Sequence, residues 1–315
     1  MIPGLLSFTV EWRSVCRMAP ERIVIAGASG LIGRALTASL RADGIEVVHL
    51  VRHPVRGPQE IAWLQDGHAL SPDILAGADA VIGLNGASIG RLPWTRGYRE
   101  TLRTSRLTPT RVLAAALREL GDDAPAFLSA SAVGYYGHSP GEPVDERSGA
   151  GDTFLARLCI DWETAALSAG DRVRTVLLRT ASVLHPEGVL KPLMRLAGVG
   201  LAGPLGTGRQ VWPWISLDDE VRGIRHAIDH DLAGPVNLTG PTPATAADIG
   251  RALSHRLHRP YLLPAPAWAL RLVLGRAAAD SLLLADADAA PRALLRSGFE
   301  FRHPTAQDAI DAAIG

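Results

Sequence analysis

The sequence contains very little cysteine and lysine, and its charges balance. Two cysteines, Cys16 and Cys159, are too few for a disulfide scaffold or a cysteine-based zinc site. The 32 basic and 32 acidic side chains give a formal net charge of zero. The overall charge therefore does not indicate binding to nucleic acid or to an anionic membrane. We therefore expect a small-molecule substrate, with neither nucleic acid nor a membrane as partner. Lys191 is the only lysine, so lysine-dependent chemistry must use that position.

Long apolar runs are also absent. No run approaches the roughly 20 residues that span a bilayer. The opening stretch MIPGLLSFTVEW has no basic segment before it and makes a poor signal peptide. Met18 stands just before the first strong strand pattern, so we interpret residues 1–18 as an N-terminal extension. We expect a cytoplasmic protein.

Alternation of short apolar runs with longer helical patterns dominates the chain after Met18. Buried strands of the parallel type are predicted at Arg22–Ala26, Glu46–Val51, Ala80–Leu84, Ala126–Ser129 and Val173–Leu178. Helices are predicted at Arg96–Leu120 and Thr153–Ala169. This pattern indicates an α/β fold with a Rossmann-type, doubly wound parallel sheet.

The composition changes beyond about residue 185, where a smaller, mostly helical C-terminal lobe is expected. We assign 19–185 to the nucleotide-binding domain, with 213–240 returning to it, and 186–212 and 241–315 to a substrate lobe. The segment Leu201–Trp214 is rich in glycine, proline and tryptophan. It either forms a lid over the site or packs the two lobes together.

A glycine-rich turn, Gly27-Ala-Ser-Gly30-Leu-Ile-Gly33, joins the first strand to the first helix. In this context Gly27 permits a tight turn, Gly30 lets the backbone approach a pyrophosphate, and Gly33 allows close helix–strand packing. The alternative is an ordinary strand–helix turn without a ligand. The placement at the first crossover favours dinucleotide binding.

The residue after the second strand is expected to select the cofactor. An acid there hydrogen-bonds the ribose of NAD, whereas an arginine can pair with the 2′-phosphate of NADP. Here Arg52 and His53 follow the strand, and the next acid is Glu60. Arg52 offers a planar fork suited to phosphate, although it can also be a solvated surface residue. We predict NADP(H).

These motifs, together with several further along the chain, carry a family resemblance. The chain resembles an atypical, extended short-chain dehydrogenase/reductase of the subgroup called "epimerase family protein". The matching segments are GASGLIG at 27–33, Leu50–Arg52, Pro93–Thr95, Thr104–Arg106, SAVGYYG at 131–137, Asp161–Glu163, Arg179-Thr180, Val183-Leu184, Gly206–Gln210, Trp214-Ile215, Asp218, Gly234–Asn237 and Gly298-Phe299. The resemblance implies a Rossmann domain that binds NADP(H) and a C-terminal domain of unknown function.

The resemblance also implies a set of cofactor contacts. They are Gly27, Ser29, Gly30, Leu31, Ile32, Gly33, Val51, Arg52, Leu84, Asn85, Gly86, Thr101, Arg106, Ser131 and Val183. One segment departs from the family pattern, because the usual Asn-Leu-Ala-Gly reads Gly83-Leu84-Asn85-Gly86 here. The asparagine side chain has therefore moved two places.

The catalytic pair of ordinary superfamily members is missing. Those members use Tyr-x-x-x-Lys, in which the lysine lowers the tyrosine pKa so that the tyrosine can transfer a proton. Lys191 is preceded four residues earlier by Glu187, and the stretch from Phe154 to Glu163 contains no tyrosine. The resemblance implies the same absence, which argues against standard epimerase or dehydratase chemistry.

A reduced catalytic site is predicted around Ser131, Tyr135 and Tyr136. Either tyrosine can donate a hydrogen bond to a carbonyl oxygen, with an arginine such as Arg157 supplying charge. Alternatively, both tyrosines pack the cleft and bond backbone groups. Cys159 is interpreted as a small core residue.

Two other polar features receive structural interpretations. Asp218 is predicted to cap the helix over Asp218–His230. His226 and His230 share a face of that helix, but no third ligand is evident nearby, and no metal site is expected.

The sequence thus favours an NADP(H)-dependent oxidoreductase acting on an unknown small carbonyl-type compound. A non-catalytic NADP(H)-sensing protein is the alternative. A sugar-nucleotide epimerase or dehydratase is the third possibility, and the missing Tyr/Lys pair disfavours it. The sequence does not determine the oligomeric state.

Overall fold

The computed structural model describes residues 20–65 and 69–315. The strands are β1 (Arg22–Ala26), β2 (Glu46–Val51), β3 (Glu60–Ala62), β4 (Ala80–Gly83), β5 (Ala126–Ala132), β6 (Ser139–Val144), β7 (Thr175–Thr180), β8 (Ser182–Leu184), β9 (Trp214–Ser216), β10 (Gly234–Leu238) and β11 (Ala287–Ala289). The helices are α1 (Leu31–Ala42), α2 (Arg96–Leu120), α3 (Phe154–Leu167), α4 (Leu190–Gly198), α5 (Leu217–Asp229), α6 (Ala246–Arg256), α7 (Ala267–Leu274), α8 (Arg276–Ala278), α9 (Arg292–Arg296) and α10 (Ala306–Ile314). The expected extension at residues 1–18 lies outside the described residues.

Seven strands form one parallel sheet in the order β10-β7-β5-β4-β1-β2-β3. Ile23 in β1 pairs with Val47 in β2 on one side and with Ala80 in β4 on the other. The chain therefore reverses its direction of travel across the sheet between β1 and β4. This switch point leaves a crevice at the carboxyl ends of the strands, where such sheets bind ligands. The predicted doubly wound fold is confirmed.

Alternate residues of β1 enter two separate hydrophobic cores because successive strand side chains point to opposite faces. Ile23 and Ile25 pack in the core that includes buried residues of α1 and α5. Val24 and Ala26 pack in the core that includes buried residues of α2 and α3. The sheet is therefore covered on both faces, as its uninterrupted apolar strands require.

The C-terminal region is mostly helical and shares a core with the tryptophan-rich segment. Trp212, Trp214, Ile249, Leu253 and Ile310 are buried together there. The prediction of a mostly helical lobe is confirmed, but the segment from Trp268 to Gly315 also contains β11, which pairs with β6. The domain boundaries proposed above stay a prediction.

The predicted cap of α5 is wrong by two residues. The helix begins at Leu217, and Ser216 is its N-cap because the Ser216 hydroxyl accepts from the Asp219 backbone N–H at 3.0 Å. Asp218 lies in the first turn and pairs with Arg302. The short serine side chain meets the free N–H groups, and the acid stabilises the first turn instead.

Over residues 20–65 and 69–315, no helix is both long and apolar enough to cross a membrane. The longest, α2, has 25 residues and contains Pro109 together with many charged side chains.

Candidate functional site

The glycine turn lies tightly against the end of β4. Gly27 has φ +91°, and a Cβ there would lie 2.7 Å from the backbone carbon of Leu84. A Cβ at Gly33 would lie 2.5 Å from the Gly27 carbonyl oxygen. Real Cβ atoms do not approach so closely, so both positions require glycine. At Gly30, by contrast, the nearest atom to a Cβ would be 3.4 Å away.

The first turn of α1 is arranged to receive an anion. Gly30 is the N-cap, no side chain caps the helix, and its first turn contains no acid. The free N–H groups and the positive end of the helix dipole therefore face the crevice without a protein carboxylate in the first turn. Arg34 donates to the Ser29 carbonyl at 2.9 Å and forms an ion pair with Glu187 at 2.7 Å.

Asn85 supplies an unused acceptor beside this turn. It follows β4, and its side-chain Oδ1 is buried with no hydrogen-bond partner among the described residues. An unpaired buried acceptor is costly, so such an atom favours a donor from a ligand. Gly86 lies against Arg106, which donates to the Ala87 carbonyl at 3.1 Å and supports the loop. The turn and this orphaned oxygen together fit a dinucleotide.

The end of β2 presents an arginine and no neighbouring carboxylate. Arg52 is exposed, and within residues 20–65 and 69–315 its guanidinium makes no hydrogen bond or ion pair. His53 Nδ1 lies 2.9 Å from the Pro54 carbonyl. Glu60 is in β3, where its carboxylate accepts from the Arg56 backbone N–H. Arg52 is therefore available to a phosphate.

Other predicted cofactor contacts lie on the elements around the crevice. A Cβ added at Gly188 would lie 2.7 Å from the Val183 carbonyl oxygen and 3.5 Å from the Leu31 side chain. The first turn of α1 and strand β8 therefore meet at this glycine. Thr101 is exposed on α2, and its hydroxyl donates to the Gly97 carbonyl. Val51 is half-buried at the end of β2. The roles of these residues stay predictions.

A buried polar network joins β5, α3, β7 and β10. Arg179 donates from Nε and Nη2 to the two carboxylate oxygens of Glu163, each at 2.8 Å. Its Nη1 donates to the Tyr136 hydroxyl at 3.0 Å, and that hydroxyl donates to Asn237 at 2.7 Å. The Ser131 hydroxyl donates to Glu163 at 2.7 Å. Because the donors and acceptors of the pair are matched, the two charges can be buried together.

Burial shifts the pKa values of side chains in and beside this network. Burial raises the pKa of Tyr136 to about 12, against the opposing effect of the nearby Arg179 charge. Burial alone would lower the pKa of Arg179, but its hydrogen bonds and charge attraction to Glu163 raise it. Burial, reinforced by Glu163, raises the pKa of Cys159 to about 12, so its thiol stays protonated at neutral pH.

The three predicted catalytic residues do come together, but in different environments. Ser131 is 4% exposed and Tyr136 is 0% exposed, and both hydroxyls are engaged in the network. Tyr135 is half-buried, with the Arg179 guanidinium carbon 3.6 Å from its ring centre. Tyr136 is packed in the interior, as in the packing alternative, but its hydroxyl bonds the side chains of Asn237 and Arg179 rather than backbone groups. Their catalytic roles stay predictions.

Sequence reasoning missed the charged residues of this network. Arg157, considered as the cation near the tyrosines, is exposed on α3, whereas the guanidinium against both tyrosine rings belongs to Arg179. A usable signal was present, because Arg179 interrupts the apolar strand β7 and Glu163 lies among the apolar residues of α3. Buried charges of this kind are rarely present without a partner.

A second buried carboxyl group lies on the other face of β7. Glu220 in α5 is 0% exposed, and one of its oxygens accepts from the Thr180 hydroxyl at 2.8 Å. The other oxygen has no partner among the described residues. Burial raises the pKa of Glu220 to about 8. Glu220 is therefore mostly protonated at neutral pH.

The tryptophan-rich segment packs against the C-terminal helical region. Trp212 is 6% exposed and Trp214 is 2% exposed. Their indole N–H groups donate to the carbonyls of Leu283 and Thr242. A Cβ at Gly240 would lie 2.5 Å from the Trp214 ring, which shows how closely the ring is held. These contacts favour the packing role over the lid.

Polar side chains beside α5 are engaged with one another. The rings of His226 and His230 stack with centroids 3.7 Å apart. Asp218, Asp219 and His303 bring potential ligand atoms within 4.8 Å of one another. Both oxygens of Asp219, however, already accept hydrogen bonds, among them one from Arg222 and one from the Arg302 backbone. The cluster is explained by these bonds.

A cavity of about 840 Å³ lies between α1, α5 and α10, and no residue of the glycine turn lines it. Its three arginines, Arg222, Arg225 and Arg302, each form an ion pair with an aspartate. We place the functional site in the crevice, where the orphaned acceptor and the glycine turn lie.

Comparison with known proteins agrees with this geometry. Residues 23–238 match the model of the NAD dependent epimerase/dehydratase family, and residues 265–313 match a domain of unknown function, DUF1731. The chain is 44% identical over 299 residues to epimerase family protein MT2273 of Mycobacterium tuberculosis, covering 94% of this chain and 98% of that protein.

Two solved structures are similar over nearly the whole chain. The human epimerase family protein SDR39U1, crystallised with NADPH, has a TM-score of 0.83 and 31% identity, covering 93% of this chain and 99% of that one. A nucleoside-diphosphate sugar epimerase from Corynebacterium glutamicum has a TM-score of 0.75 and 33% identity, covering 94% of this chain and 58% of that one. The NADPH in the human structure agrees with the predicted type of cofactor. The chain belongs to the NAD dependent epimerase/dehydratase family.

Proposed function

We propose that this protein binds NADP(H) in the crevice at the carboxyl ends of the sheet and acts as an oxidoreductase on a small carbonyl-type compound. The observation that carries the proposal is the glycine turn lying against β4, with the orphaned Asn85 oxygen beside it. The NADPH in the structure of human SDR39U1 supports the choice of cofactor.

The geometry of the crevice supports the following binding residues. The first turn of α1 receives the pyrophosphate, because Gly30 leaves room for it and no acid opposes it. Arg52 pairs with the 2′-phosphate, which gives the site its preference for NADP(H) over NAD(H). Asn85 accepts a hydrogen bond from a hydroxyl of the cofactor, which removes the cost of its unpaired oxygen.

A proton donor is also required for carbonyl reduction. When bound, NADPH would supply the hydride for the carbonyl carbon, and the carbonyl oxygen would need a proton from the protein. The hydroxyls of Ser131 and Tyr136 are committed to Glu163 and Asn237. Tyr135 is therefore the better donor, since its hydroxyl makes no hydrogen bond within the described part of the chain and Arg179 supplies a positive charge against its ring. It donates its proton to the oxygen and regains one from solvent.

Complete burial of Tyr136 favours a second candidate. The hydroxyls of Ser131 and Tyr136 are buried and hydrogen-bonded within the protein. Such a site fits a non-catalytic NADP(H) sensor, whose contacts with a partner change when the cofactor binds. Standard epimerase chemistry stays third, because α3 contains neither a tyrosine nor a lysine.

The deciding experiment is a titration of the purified protein with NADPH and with NADH, followed by carbonyl compounds added to the saturated complex. Preferential NADPH binding with loss of reduced-nicotinamide absorbance is expected. Tyr135→Phe should bind NADPH normally and lose most of that oxidation. Tight binding without oxidation over a broad panel favours the sensor, and no binding of either nucleotide contradicts both candidates.

A further inference from the structure

A ridge of exposed apolar side chains runs along one side of the C-terminal lobe. The helix α7, with sequence AWALRLVL, has no buried residue. Trp268 is 69% exposed, Leu272 is 78% exposed and Val273 is 74% exposed. We call these three residues, together with Val199, Leu201, Leu262 and Leu263, the apolar ridge; each is at least half-exposed. Contiguous exposure of this kind marks a surface that binds something.

The ridge is one surface, although its residues come from two stretches of chain. The backbone N–H groups of Leu262 and Leu263 both donate to the Ala202 carbonyl. Leu205 and Ala265 then form a parallel bridge. Segment 199–205 therefore lies beside segment 262–265, which leads directly into α7. Within α7, Trp268 and Leu272 are one turn apart and share a face.

The same two stretches of chain are strongly basic. Residues 190–212 and 255–285 contain seven basic residues and one acid, Asp280. The basic residues are Lys191, Arg195, Arg209, Arg256, Arg259, Arg271 and Arg276. The rest of the chain then holds 25 basic and 31 acidic residues, since the totals are 32 and 32. In a chain with no net charge, the two stretches that carry the apolar ridge thus hold an excess of six positive charges. Arg271 and Arg276 are paired with Asp280, and Arg256 with Asp311, whereas Arg195 and Arg259 form no ion pair within the described residues.

We propose that the apolar ridge binds the surface of an anionic lipid bilayer. Trp268 and Leu272 enter the boundary between headgroups and acyl chains, and Arg195 and Arg259, from the same two stretches of chain, contact lipid phosphates. A second copy of this chain fits the surface less well, because a twofold contact would bring two positive patches together. The expectation of no membrane partner rested on net charge over the whole chain, which conceals this segregation.

The test is flotation of the full chain with vesicles of phosphatidylcholine alone and of phosphatidylcholine mixed with phosphatidylglycerol. We expect binding to the mixed vesicles only, weakening as salt is added. Replacing Trp268 and Leu272 by serine should lower the partition coefficient by about tenfold per residue, since each buries a large apolar side chain. Leu295→Ser, at a residue 52% exposed on α9, is the matched control and should bind as wild type.

A charge-reversal pair tests the electrostatic part. Arg195→Glu with Arg259→Glu should abolish the preference for phosphatidylglycerol, whereas Arg296→Glu on α9 should not. NADPH titration of every variant checks that the fold is intact. Wild-type protein that ignores both vesicles at low salt overturns the proposal. Equal vesicle binding by wild type and by the Trp268→Ser, Leu272→Ser variant also overturns it. A dimer in sedimentation velocity that the α7 substitutions dissociate assigns the ridge to a second copy instead.

Discussion

Glu163 and Glu220 are buried on opposite faces of the same strand end. The carboxylate of Glu163 accepts hydrogen bonds from Arg179 of β7. The carboxyl group of Glu220 accepts a hydrogen bond from Thr180, the next residue of the same strand. Successive strand side chains point to opposite faces, so neighbouring residues receive carboxyl groups from α3 and α5. The first carboxylate is fully paired, and the second has one unpaired oxygen. The end of β7 is therefore sensitive to substitution on both sides.

Replacing Arg52 by serine should weaken NADPH binding by about tenfold to a hundredfold, because a charge-assisted bond to the 2′-phosphate is lost. NADH binding should change little. Fluorescence or calorimetric titration with both nucleotides measures the difference. Arg56→Ser is the control, since Arg56 is also exposed in the same loop. An unchanged preference for NADPH would refute the assignment of Arg52.

Replacing Gly33 by alanine should unfold or strongly destabilise the first crossover, because the new Cβ would lie 2.5 Å from the Gly27 carbonyl oxygen. We expect a loss of about 2 kcal/mol or more in the free energy of unfolding, together with loss of NADPH binding. Gly97→Ala is the control. Gly97 lies near the start of α2 with open space around it, so alanine should be neutral or stabilise by up to about 1 kcal/mol. Urea denaturation compares the two, and equal stabilities would show that the turn tolerates a side chain.

Removing the Tyr136 hydroxyl should lower the free energy of unfolding. Tyr136→Phe leaves Asn237 Oδ1 and an Arg179 N–H without their partner, which should cost about 1–3 kcal/mol. Tyr135→Phe should leave the free energy of unfolding within about 0.5 kcal/mol, since the ring keeps its contact with Arg179. Chemical denaturation of both variants distinguishes a structural tyrosine from a site tyrosine. The reverse order of effects would exchange their proposed roles.

The burial of Glu220 predicts that the free energy of unfolding falls as the pH rises. Its pKa is raised from 4.5 to about 8 by burial, so the folded protein holds a proton that the unfolded chain releases above about pH 4.5. Stability is therefore lost between these two values, at about 1.4 kcal/mol per pH unit, and not further above about pH 8. Glu220→Gln cannot ionise.

The melting temperature of Glu220→Gln relative to wild type should therefore climb steadily from about pH 5 to about pH 8 and then level off. Asp311→Asn, which removes an exposed acid on α10, should show no such trend. A difference between Glu220→Gln and wild type that stays constant over this range would mean that Glu220 is already ionised at about pH 5.

Several features could be predicted from local sequence alone. The bounds of β1, β2 and α2 were predicted to the residue, because apolar β-branched runs, helical periodicity and turn residues are local signals. The glycine turn was also predictable, since only its position between a strand and a helix was needed. The short strands β3, β6, β8, β9 and β11 were not predicted, because their pairing is set by distant partners rather than by their own pattern.

Only the tertiary structure decided which polar groups are available for chemistry. Ser131, Tyr135 and Tyr136 lie close together in the sequence, yet the buried pair of Arg179 and Glu163 engages two of their hydroxyls and leaves the third. The sequence by itself determined the fold class, the glycine turn, the arginine after β2 and the absence of a Tyr/Lys pair, since each depends on residue type and local spacing. Burial, ion pairing and the placement of segment 199–205 beside segment 262–265 depend on parts of the chain that are far apart in sequence. Long-range packing therefore decided them.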